Sequence, residues 1–511
     1  MTQRTPDPHP DAPDVGLRPG GTFPAWVVAD ALAEAGLLAA EHGPMPAHFS
    51  GIADDSRHVA PGTLFVAVRG TARDGHEFLG AAARAGATAA VVETPDVTAL
   101  PSFIVRDGRA AVAVAAAAAY GHPARSLDRA VAVTGTNGKS TTVGILRHLL
   151  DDAAAPAGSI GTIGVFVGSA GEPLADAAVS GGLTTPGPIE LQRILRTLVD
   201  RGVRTVALEA SSHSLDQRRI GELSFDAVIF TNLTRDHLDY HGTTEAYFEA
   251  KARLLTYLRP GGVSVINADD PAWRRLPPGA HTVRFSATGN PADVRAVNVR
   301  YGARGSDWEL AVRDQGCFPV HLPLIGDFNV ANALGGAAAA WALGVAPARL
   351  AERLASLPQV PGRLEVIHEH PTVLRDYAHT PDALDRALRA VRPFTAGRLI
   401  VVFGAGGDRD RGKRPQMGAI ADQLADITIL TSDNPRTEDP ERILDDIEQG
   451  MTRPRERIED REQAVRRALA LAGPRDLVLL AGKGHETYQV RGTTNQPFDE
   501  REIVLRALAS R

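Results

Sequence analysis

Cysteine is almost absent from this 511-residue sequence, which contains only Cys317. One cysteine can build neither an intrachain disulfide framework nor a zinc site made of several thiolates. The segment 1–20 is rich in proline and aspartate and lacks the apolar stretch of a signal peptide. We therefore expect a cytoplasmic protein whose residues 1–22 form a disordered tail.

Long hydrophobic runs and an excess of positive charge are also missing. The alanine-rich run 110–119 is too short to cross a bilayer and is predicted to be a packed helix. A net charge of −6 argues against nucleic acid or an anionic membrane as a partner. We expect a monomer that acts on small molecules, binds no nucleic acid and does not insert into membranes.

Lysine is rare, because only four of the 55 basic residues are lysines. Lys139, Lys413 and Lys483 each adjoin a glycine, whereas Lys251 lies in the run Tyr-Phe-Glu-Ala-Lys. Arginine is a planar, permanently charged fork, while lysine is a slim point charge whose amine can lose its proton and react. Codon bias could explain any one of these lysines, but their settings together favour chemistry.

The chain reads as three successive α/β segments. Short apolar runs alternate with helical stretches from about residue 51 to 123, a second block opens at Ala130, and residues 358–362 resemble a linker. We therefore predict domains over 23–128, 129–360 and 361–511 after the tail. Buried strands are predicted at 63–68, 89–92, 130–133, 205–208, 227–230, 263–266, 399–403, 427–430 and 477–480.

An apolar strand, a glycine-rich turn and the start of a helix follow one another at residues 131–141. Backbone N–H groups in such a turn can wrap phosphate oxygens, and the N-terminus of the helix adds partial positive charge. Lys139 would reach the outer phosphates, and the Ser140 hydroxyl would hold Mg²⁺. The general pattern is imperfect, because Val133 stands where its first glycine belongs. The predicted phosphate-binding residues are Gly135, Thr136, Asn137, Gly138, Lys139, Ser140 and Thr141.

The run Gly-Thr-Asn-Gly-Lys-Ser at 135–140 is the variant of this loop found in the Mur ligases, the ATP-dependent amino-acid ligases of peptidoglycan synthesis. The chain resembles that family from about Asp55 to its C-terminus. It is most similar to the branch that adds the third residue of the stem peptide. The resemblance implies an α/β protein of three domains: an N-terminal domain that binds a UDP-sugar, a central P-loop ATPase-like domain with a parallel or mixed sheet, and a Rossmann-like C-terminal domain.

Two candidate metal ligands follow neighbouring predicted strands, since Glu209 ends one and His237 follows the next. Open α/β sheets place their ligands at the carboxyl ends of strands, so both could coordinate Mg²⁺ beside phosphate oxygens and water. The resemblance implies the same role for them and adds Lys251 as a carbamate formed with CO₂. Without the resemblance, Lys251 would be interpreted as a solvated cation on a helix. His213 and His241 are interpreted as structural or surface residues. The expected catalytic residues are Lys139, Glu209, His237 and Lys251.

The resemblance also implies contacts to the two nucleotides. Asn329 lies in a run that resembles the adenine-side helix, and its amide suits the donor and acceptor of adenine, although capping of the helix explains it nearly as well. Three residues match positions that close over ATP from the third domain, namely Arg363, Asp376 and His379. The matches to contacts with the UDP-muramoyl-dipeptide are Ser56, Thr71, Ala72, Arg73, Thr184, Thr185, Ser211, Gln217 and Arg219.

Three polar loops follow predicted strands of the last domain and are expected to converge on one cleft. Arginine forks suit carboxylates and Glu486 suits an ammonium group, which is the chemistry that recognises an amino acid. A turn with a solvated arginine is the alternative. In the family, Asp-Asn-Pro-Arg, here at 433–436, is typical of enzymes that select meso-diaminopimelate. The expected amino-acid-binding residues are Arg409, Asp433, Asn434, Pro435, Arg436, Gly482 and Glu486.

The reaction implied by the resemblance is amide ligation. ATP would phosphorylate the D-glutamyl γ-carboxylate of UDP-N-acetylmuramoyl-L-alanyl-D-glutamate, and a diamino acid, meso-diaminopimelate first, would attack the acyl phosphate. L-Lysine or L-ornithine as the third residue stays open. Folylpolyglutamate synthetase and the ligase that adds D-alanyl-D-alanine are rivals. The first is disfavoured by the 130 or so residues before the loop, and the second by the Asp-Asn-Pro-Arg run. A nucleotide switch without synthetic activity would leave the third domain's pocket unexplained.

Overall fold

The structure, a computed structural model, describes residues 16–70, 73–95, 97–174, 183–277, 279 and 281–509. Thr71, Ala72 and residues 1–15 of the predicted tail lie outside these ranges. The chain forms two compact units. The first comprises Met1–Val143, Leu150–Ser264 and Arg275–Thr282, and the second Gly144–Leu149, Val265–Arg274 and Val283–Arg511.

The first unit opens with a five-stranded sheet in the order β2-β7-β6-β5-β4. Strands β4 to β7 are parallel, and β2 runs antiparallel to β7. The alanine-rich run forms α3, as predicted, and is buried because alanine lets a helix pack closely. The elements are β1 Phe23–Pro24, α1 Ala25–Glu34, β2 Leu38–His42, β3 His48–Phe49, β4 Gly51–Ala53, β5 Thr63–Val66, α2 Leu79–Ala85, β6 Ala87–Val92, β7 Ser102–Val105 and α3 Gly108–Ala119.

Part of the predicted tail belongs to this sheet's core. Leu17 is buried in the same hydrophobic cluster as Phe23 and Phe103, and its N–H donates to Ala119 O at 2.7 Å. An apolar side chain held in this way is ordered, so residues 16–22 include a core position that their polar composition did not indicate.

A second sheet of the first unit carries the phosphate loop. Its strands lie in the order β11-β10-β9-β12-β8-β13-β14, and β9, β12, β8 and β13 are parallel. Parallel strands with helical crossovers bring their carboxyl ends to one edge. The elements are β8 Arg129–Thr134, α4 Lys139–Leu150, β9 Ala157–Gly161, β10 Gly164–Val167, β11 Glu172–Pro173, α5 Pro188–Asp200, β12 Thr205–Glu209, α6 Ser212–Asp216, β13 Phe225–Phe230, α7 Leu238–His241, α8 Thr244–Ala252 and β14 Leu258–Asn267.

The second unit begins with strands that the sequence did not reveal. Strands β15 and β16 are parallel, and β16, β17 and β18 form an antiparallel meander. The long, mostly apolar helix α9 follows, and its last fourteen residues are mostly buried. The elements are β15 Thr282–Ser286, β16 Val294–Gly302, β17 Gly305–Val312, β18 Gly316–Leu322, α9 Asp327–Ala342 and α10 Pro347–Ala355.

A six-stranded sheet in the order β19-β20-β24-β21-β22-β23 completes the second unit. It is parallel except for the β19–β20 pair, and helices cover both faces. No helix in the described part of the chain is both long and apolar enough to cross a membrane. The elements are β19 Glu365–Glu369, β20 Thr372–Asp376, α11 Pro381–Val391, β21 Leu399–Phe403, α12 Lys413–Leu424, β22 Ile427–Leu430, α13 Pro440–Glu448, β23 Glu456–Arg457, α14 Arg461–Leu471, β24 Leu477–Ala481, β25 Tyr488–Arg491, β26 Thr494–Pro497 and α15 Glu500–Ala509.

Candidate active site

The glycines at the two ends of the phosphate loop have positive φ angles that other residues rarely adopt. Four residues separate the end of β8 from the start of α4. Gly135 has a φ of 149°, and a Cβ there would lie 1.9 Å from Thr231 Oγ1. Gly138 has a φ of 86° and precedes the first turn of α4. The loop is therefore a tight turn that leads directly into a helix N-terminus, which is the geometry of an anion site.

The end of the neighbouring strand β13 holds this loop in shape. Asn232 accepts from the N–H of Thr136 at 2.7 Å through its carbonyl and from the N–H of Asn137 at 2.9 Å through Oδ1. Thr231 Oγ1 donates to Asn137 O at 2.7 Å. Sequence analysis did not select Thr231 or Asn232, although both follow a predicted strand directly. They preorganise the loop before any phosphate arrives.

Lys139 and Lys251 converge on the same oxygen of the loop. Gly135 O accepts from Lys139 Nζ at 3.0 Å and from Lys251 Nζ at 2.7 Å. Lys251 is 1% exposed, and its Nζ lies 4.5 Å from the centroid of the Tyr247 ring. Burial, and next the positive charge of Lys139, lower the pKa of Lys251 well below its usual range. The Lys251 amine is therefore buried and hydrogen-bonded to the loop, unlike the solvated cation of the alternative interpretation, and its lowered pKa favours the unprotonated form.

Three histidines gather beside these amines. The ring of His213 lies 4.7 Å from that of His237 and 5.4 Å from that of His241, measured between centroids. Partial burial and then the neighbouring imidazoles lower the pKa of His213 to about 4. Partial burial also lowers the pKa of His237, and Lys139 and Lys251 add to the effect. A neutral imidazole keeps a lone pair for a metal ion, and the lowered pKa of His237 favours this form of the predicted ligand.

Glu209 ends β12 as a buried carboxylate with an ordered environment. Its Oε1 accepts from the N–H of Thr162 at 2.9 Å, and its Oε2 accepts from Thr162 Oγ1 at 3.1 Å. Gly161 allows this approach, because a Cβ there would lie 2.1 Å from Glu209 Oε1. Thr162 Oγ1 is also hydrogen-bonded to Thr184 Oγ1, at 3.1 Å. Thr162 was missed by sequence analysis, since nothing in its local sequence marks it.

The predicted muramoyl-dipeptide residues form one hydrogen-bonded network with Glu209. Thr185 Oγ1 donates to Glu209 O at 2.6 Å and accepts from the N–H of Ser211 at 3.1 Å. Arg219 donates to Thr185 O at 3.1 Å and, through Nε, to Gln217 Oε1 at 3.0 Å. With Thr184 bound to Thr162, the structure brings all five of these predicted residues together.

The remaining predicted sugar-nucleotide residues lie in loops of the five-stranded sheet. Ser56 begins a short 3₁₀ helix after Asp55, whose Oδ1 accepts from the N–H of Arg57 at 2.9 Å. Arg73 O accepts from the N–H of Gly70 at 2.9 Å in a second turn. Thr71 and Ala72 fall between these two residues, outside the described ranges.

The donor set of the first unit fits a hard cation that brings its own anions. The described residues contain no cluster of three or more histidine, cysteine, aspartate or glutamate side chains suited to a metal. The predicted ligands Ser140, Glu209 and His237 contribute a hydroxyl, a carboxylate and an imidazole. Mg²⁺ takes few protein ligands and completes its octahedron with water and phosphate oxygens, so such a sparse set is compatible with it.

In the second unit, the Asp-Asn-Pro-Arg segment and the Gly-Lys-Gly-His-Glu segment are hydrogen-bonded to each other. Asn434 Nδ2 donates to Glu486 Oε2 at 2.9 Å. Asn434 Oδ1 accepts from Lys483 Nζ and from the N–H of Val490, both at 2.8 Å. Gly482 has a φ of 112°, and a Cβ there would lie 2.6 Å from Asp433 Oδ2. Two of the three predicted loops therefore share one set of contacts.

The third loop joins them through Arg436. Arg436 has a φ of 53°, and its Nη1 donates to Gly407 O at 2.9 Å. A Cβ on Gly407 would lie 1.9 Å from Pro435 O, so this contact also requires glycine. Arg409 is exposed and donates to its own neighbour, Asp408 O, at 3.1 Å. The structure thus brings six of the seven predicted amino-acid-binding residues together, while Arg409 is exposed.

The predicted ATP-closing residues also lie in the second unit. The guanidinium carbon of Arg363 lies 4.9 Å from the centroid of the Tyr377 ring, and His379 Nδ1 is 2.8 Å from Tyr377 O. Asn329 is buried in the first turn of α9, where Nδ2 donates to Ile325 O at 2.8 Å and Oδ1 accepts from Asn332. The local, helix-terminal role is therefore the one that the geometry of Asn329 displays.

Asp376 ends β20 in a setting that disfavours its charge. Its Oδ2 accepts from the N–H of Leu364 at 2.7 Å, yet burial raises its pKa to about 6, and Arg363 only partly opposes the rise. The folded protein thus binds this proton more tightly than the unfolded chain does, and the associated stability is lost as the pH rises through about 6.

Asp376→Asn should therefore stabilise the protein relative to wild type, and more so at about pH 7.5 than at about pH 4.5. The amide keeps an acceptor for Leu364 N–H but has no charge to bury. Denaturant unfolding of both proteins at the two pH values measures the effect. An equal free-energy difference at both values would show that the Asp376 carboxyl titrates normally.

Comparison with known proteins finds one family along the chain. The description "Mur ligase family, catalytic domain" matches residues 48–134, "Mur ligase middle domain" matches 133–340, and "Mur ligase, glutamate ligase domain" matches 362–484. The three matches follow one another in the order of the predicted domains. The predicted boundaries at 22, 128 and 360 remain predictions.

Relatives of known name match over nearly the whole chain. The UDP-N-acetylmuramoyl-L-alanyl-D-glutamate–2,6-diaminopimelate ligase of Synechococcus elongatus is 44% identical, over 93% of this chain and 97% of its own length. The ligase of the same name from Geobacter metallireducens is 43% identical, over 91% and 95%. A solved structure of a ligase with that name is 35% identical, with a TM-score of 0.62, and covers 90% of this chain and 95% of that one.

These similarities extend through the sheet that carries the phosphate loop and through the sheet whose three loops hold Gly407, Arg436 and Glu486. The predicted α/β class and three-domain architecture are confirmed by the matching domains and by the solved structure. With 44% identity to a named ligase over 93% of its length, the chain belongs to the Mur ligase family.

Proposed function

We propose that this chain joins meso-2,6-diaminopimelate to UDP-N-acetylmuramoyl-L-alanyl-D-glutamate, with ATP as the energy source, in peptidoglycan synthesis. The observation that carries the proposal is the convergence of Lys139 and the buried Lys251 on Gly135 O of the phosphate loop. Its support is the similarity to diaminopimelate-adding ligases over 93% of the chain.

The reaction has two steps that conserve all atoms. An oxygen of the D-glutamyl γ-carboxylate attacks the γ-phosphorus of ATP, the bond to the bridging oxygen breaks, and ADP leaves with that electron pair. The neutral amine of the diamino acid then attacks the acyl carbon, phosphate leaves, and the amine loses a proton to solvent. The developing charge is on phosphoryl oxygens, so preorganised N–H groups and Lys139 are what this chain supplies.

Mg²⁺ supplies charge neutralisation on the phosphates when it is bound. Ser140, Glu209 and His237 are the residues that would hold it, and a modified Lys251 would add an anion. In that modification the lone pair of the unprotonated Lys251 amine attacks the carbon of CO₂, one N–H proton is released, and an anionic carbamate replaces the neutral amine. The burial of the amine and the low pKa of Lys251 support this step, because only an unprotonated amine can react.

The hydrogen-bonded network around Glu209 would bind the muramoyl-dipeptide. Its members donate and accept hydrogen bonds at the edge of the sheet next to the phosphate loop, where an acyl acceptor of phosphate must lie. Ser56 and Arg73, with Thr71 and Ala72, are proposed for the uridine diphosphate. Asn329, Arg363, Asp376 and His379 remain predicted nucleotide contacts.

Arg436 is proposed to select the third residue. Its guanidinium can bind the distal carboxylate of diaminopimelate with two parallel hydrogen bonds, and neither lysine nor ornithine carries that group. A site built around a charged partner rejects an analogue that leaves this partner unpaired, by as much as roughly 10⁴-fold. Arg436→Ala should therefore reduce kcat/KM for diaminopimelate far more than it changes KM for the UDP-dipeptide.

The comparison variant is Arg409→Ala, a second predicted amino-acid-binding arginine, because Arg409 is exposed and donates to Asp408 O in its own loop. We expect its effect on diaminopimelate use to be the smaller of the two. Equal losses of activity with diaminopimelate, lysine and ornithine in Arg436→Ala would mean that Arg436 binds the α-carboxylate common to all three.

A substrate-omission assay tests the ligase reaction itself. Phosphate release from ATP should require both the UDP-dipeptide and a diamino acid, and omission of either should reduce it to background. The assay separates a ligase from a nucleotide switch. Equal release from ATP alone would rule out the ligase reaction.

A further inference from the structure

We propose that Lys483 is a positioning residue that fixes the ammonium-binding side of the amino-acid pocket, an inference that rests on the proposed ligase function. Lys483 has no exposed side-chain surface, and it lies between Gly482 and Gly484 in the loop after β24. A buried lysine is rare because its charge loses hydration, so it must have partners that repay the loss. None of the sequence-level site predictions includes it.

The partners of Lys483 are two of the predicted substrate-binding residues themselves. Its Nζ donates to Asn434 Oδ1 at 2.8 Å and to Glu486 Oε2 at 2.7 Å. Asn434 Nδ2 donates to the same Glu486 Oε2 at 2.9 Å. Lys483, Asn434 and Glu486 thus form a closed triangle, and each edge is a hydrogen bond.

The triangle fixes the orientation of both side chains. Asn434 Oδ1 faces Lys483 and the N–H of Val490, so its NH₂ group points toward Glu486. Among the described residues, both side-chain donors to Glu486 reach Oε2 and none reaches Oε1. One carboxylate oxygen is therefore used to hold the side chain, and the other is left to accept from a ligand ammonium group.

The loop is built to bring a slim side chain to this place. Gly482 and Gly484 have φ values of 112° and 54°, and a Cβ on Gly484 would lie 2.7 Å from Tyr377 Cβ. The Lys483 Nζ also lies 5.4 Å from the centroid of the Tyr488 ring. A planar guanidinium has a different shape and hydrogen-bond directions, so arginine does not substitute for lysine in such a triangle.

The test compares steady-state kinetics of the full-length wild type with Lys483→Met. The variant keeps the aliphatic volume and removes the ammonium group. We expect KM for diaminopimelate to rise at least about tenfold, while KM for ATP and for the UDP-dipeptide stay within about twofold. The charge-removal control is Arg442→Met, because Arg442 is 85% exposed on helix α13, which follows strand β22. This variant should leave all three KM values unchanged.

A double-mutant cycle with Glu486→Gln keeps the inference falsifiable if Lys483→Met loses stability. If Lys483 acts through Glu486, the double variant should bind diaminopimelate no worse than the weaker-binding single variant. Additive losses, or equal rises of all three KM values, would overturn the positioning role. Failure of the wild type to ligate diaminopimelate would instead refute the proposed function, so the two outcomes are distinguishable.

Discussion

Replacement of Lys251 by arginine should leave the protein folded and reduce ligation at least about 100-fold. The substitution supplies a permanently charged group in place of an amine that can lose its proton, and a guanidinium cannot capture CO₂. The structure motivates the prediction because Lys251 is 1% exposed, lies beside Lys139 and has a strongly lowered pKa. Phosphate release and thermal unfolding, measured on the same samples, separate a chemical defect from a folding defect.

The matching experiment uses Lys251→Ala. A small carboxylate added to the solution can occupy the space of the missing side chain and supply the anion that a carbamate would supply. We expect partial recovery of ligation with it, and no recovery in Lys251→Arg, where the space is filled. Full activity of Lys251→Arg would reduce Lys251 to a structural cation and remove the carbamate from the mechanism.

Lys139→Ala should abolish phosphoryl transfer, with a loss of at least about 10³-fold in kcat. Lys139 begins α4, and its Nζ lies 3.0 Å from Gly135 O and 2.9 Å from Thr136 O. Two carbonyl groups of the phosphate loop therefore hold the amine against the loop. There it would face the charge that develops on the γ-phosphoryl group. ADP formation in a single turnover reports this step without the amino-acid step.

Lys413→Ala is the control for loss of a lysine that adjoins a glycine. Lys413 begins α12, and its Nζ donates to His379 O at 2.8 Å, in the second unit. We expect its effect on ADP formation to be far smaller than that of Lys139→Ala. Near-normal turnover in Lys139→Ala would contradict the assignment of residues 135–141 as the phosphate loop.

Sequence patterns located the strands that are apolar throughout. The predicted runs 399–403 and 427–430 coincide with β21 and β22, and 130–133 lies within β8. Such strands are buried on both faces by crossover helices, so continuous hydrophobicity marks them. Strand β16 was missed because its side chains alternate between buried and more exposed positions from Val294 onward. Antiparallel strands with one face exposed to solvent have this alternating pattern, in place of the continuous hydrophobic run of a strand that is buried on both faces.

The residues that support the site were less visible than the residues that form it. Glu209 ends an apolar strand, and His237 and Asn434 follow such strands, so their position and their side-chain chemistry together marked them in the sequence. Thr162 and Asn232 act through hydrogen bonds that span 47 and 95 residues, respectively. Distances of that kind depend on which strands become neighbours, and the sheet order β9-β12-β8-β13 is set by tertiary packing rather than by local sequence.

Lys483 was visible in the sequence, but its hydrogen-bond partners could not be predicted. The scarcity of lysine and the two neighbouring glycines marked Lys483 in the sequence. Its partners are seen only in the structure, where the loops after β22 and β24 are hydrogen-bonded to each other. The burial of Lys251 is a second case. Its helix α8 has the composition of a surface helix, and only the contacts of Tyr247 and Gly135 reveal that the amine points inward.

One competition experiment tests both the ligase reaction and its selectivity for diaminopimelate. The full chain is incubated with ATP, Mg²⁺, UDP-N-acetylmuramoyl-L-alanyl-D-glutamate and equal concentrations of meso-diaminopimelate, lysine and ornithine. Mass spectrometry then identifies and quantifies the products. We expect one major product, the diaminopimelate adduct, formed in step with ADP. A major lysine or ornithine adduct would contradict the selectivity assigned to Arg436, and ADP without any adduct would contradict the ligase function.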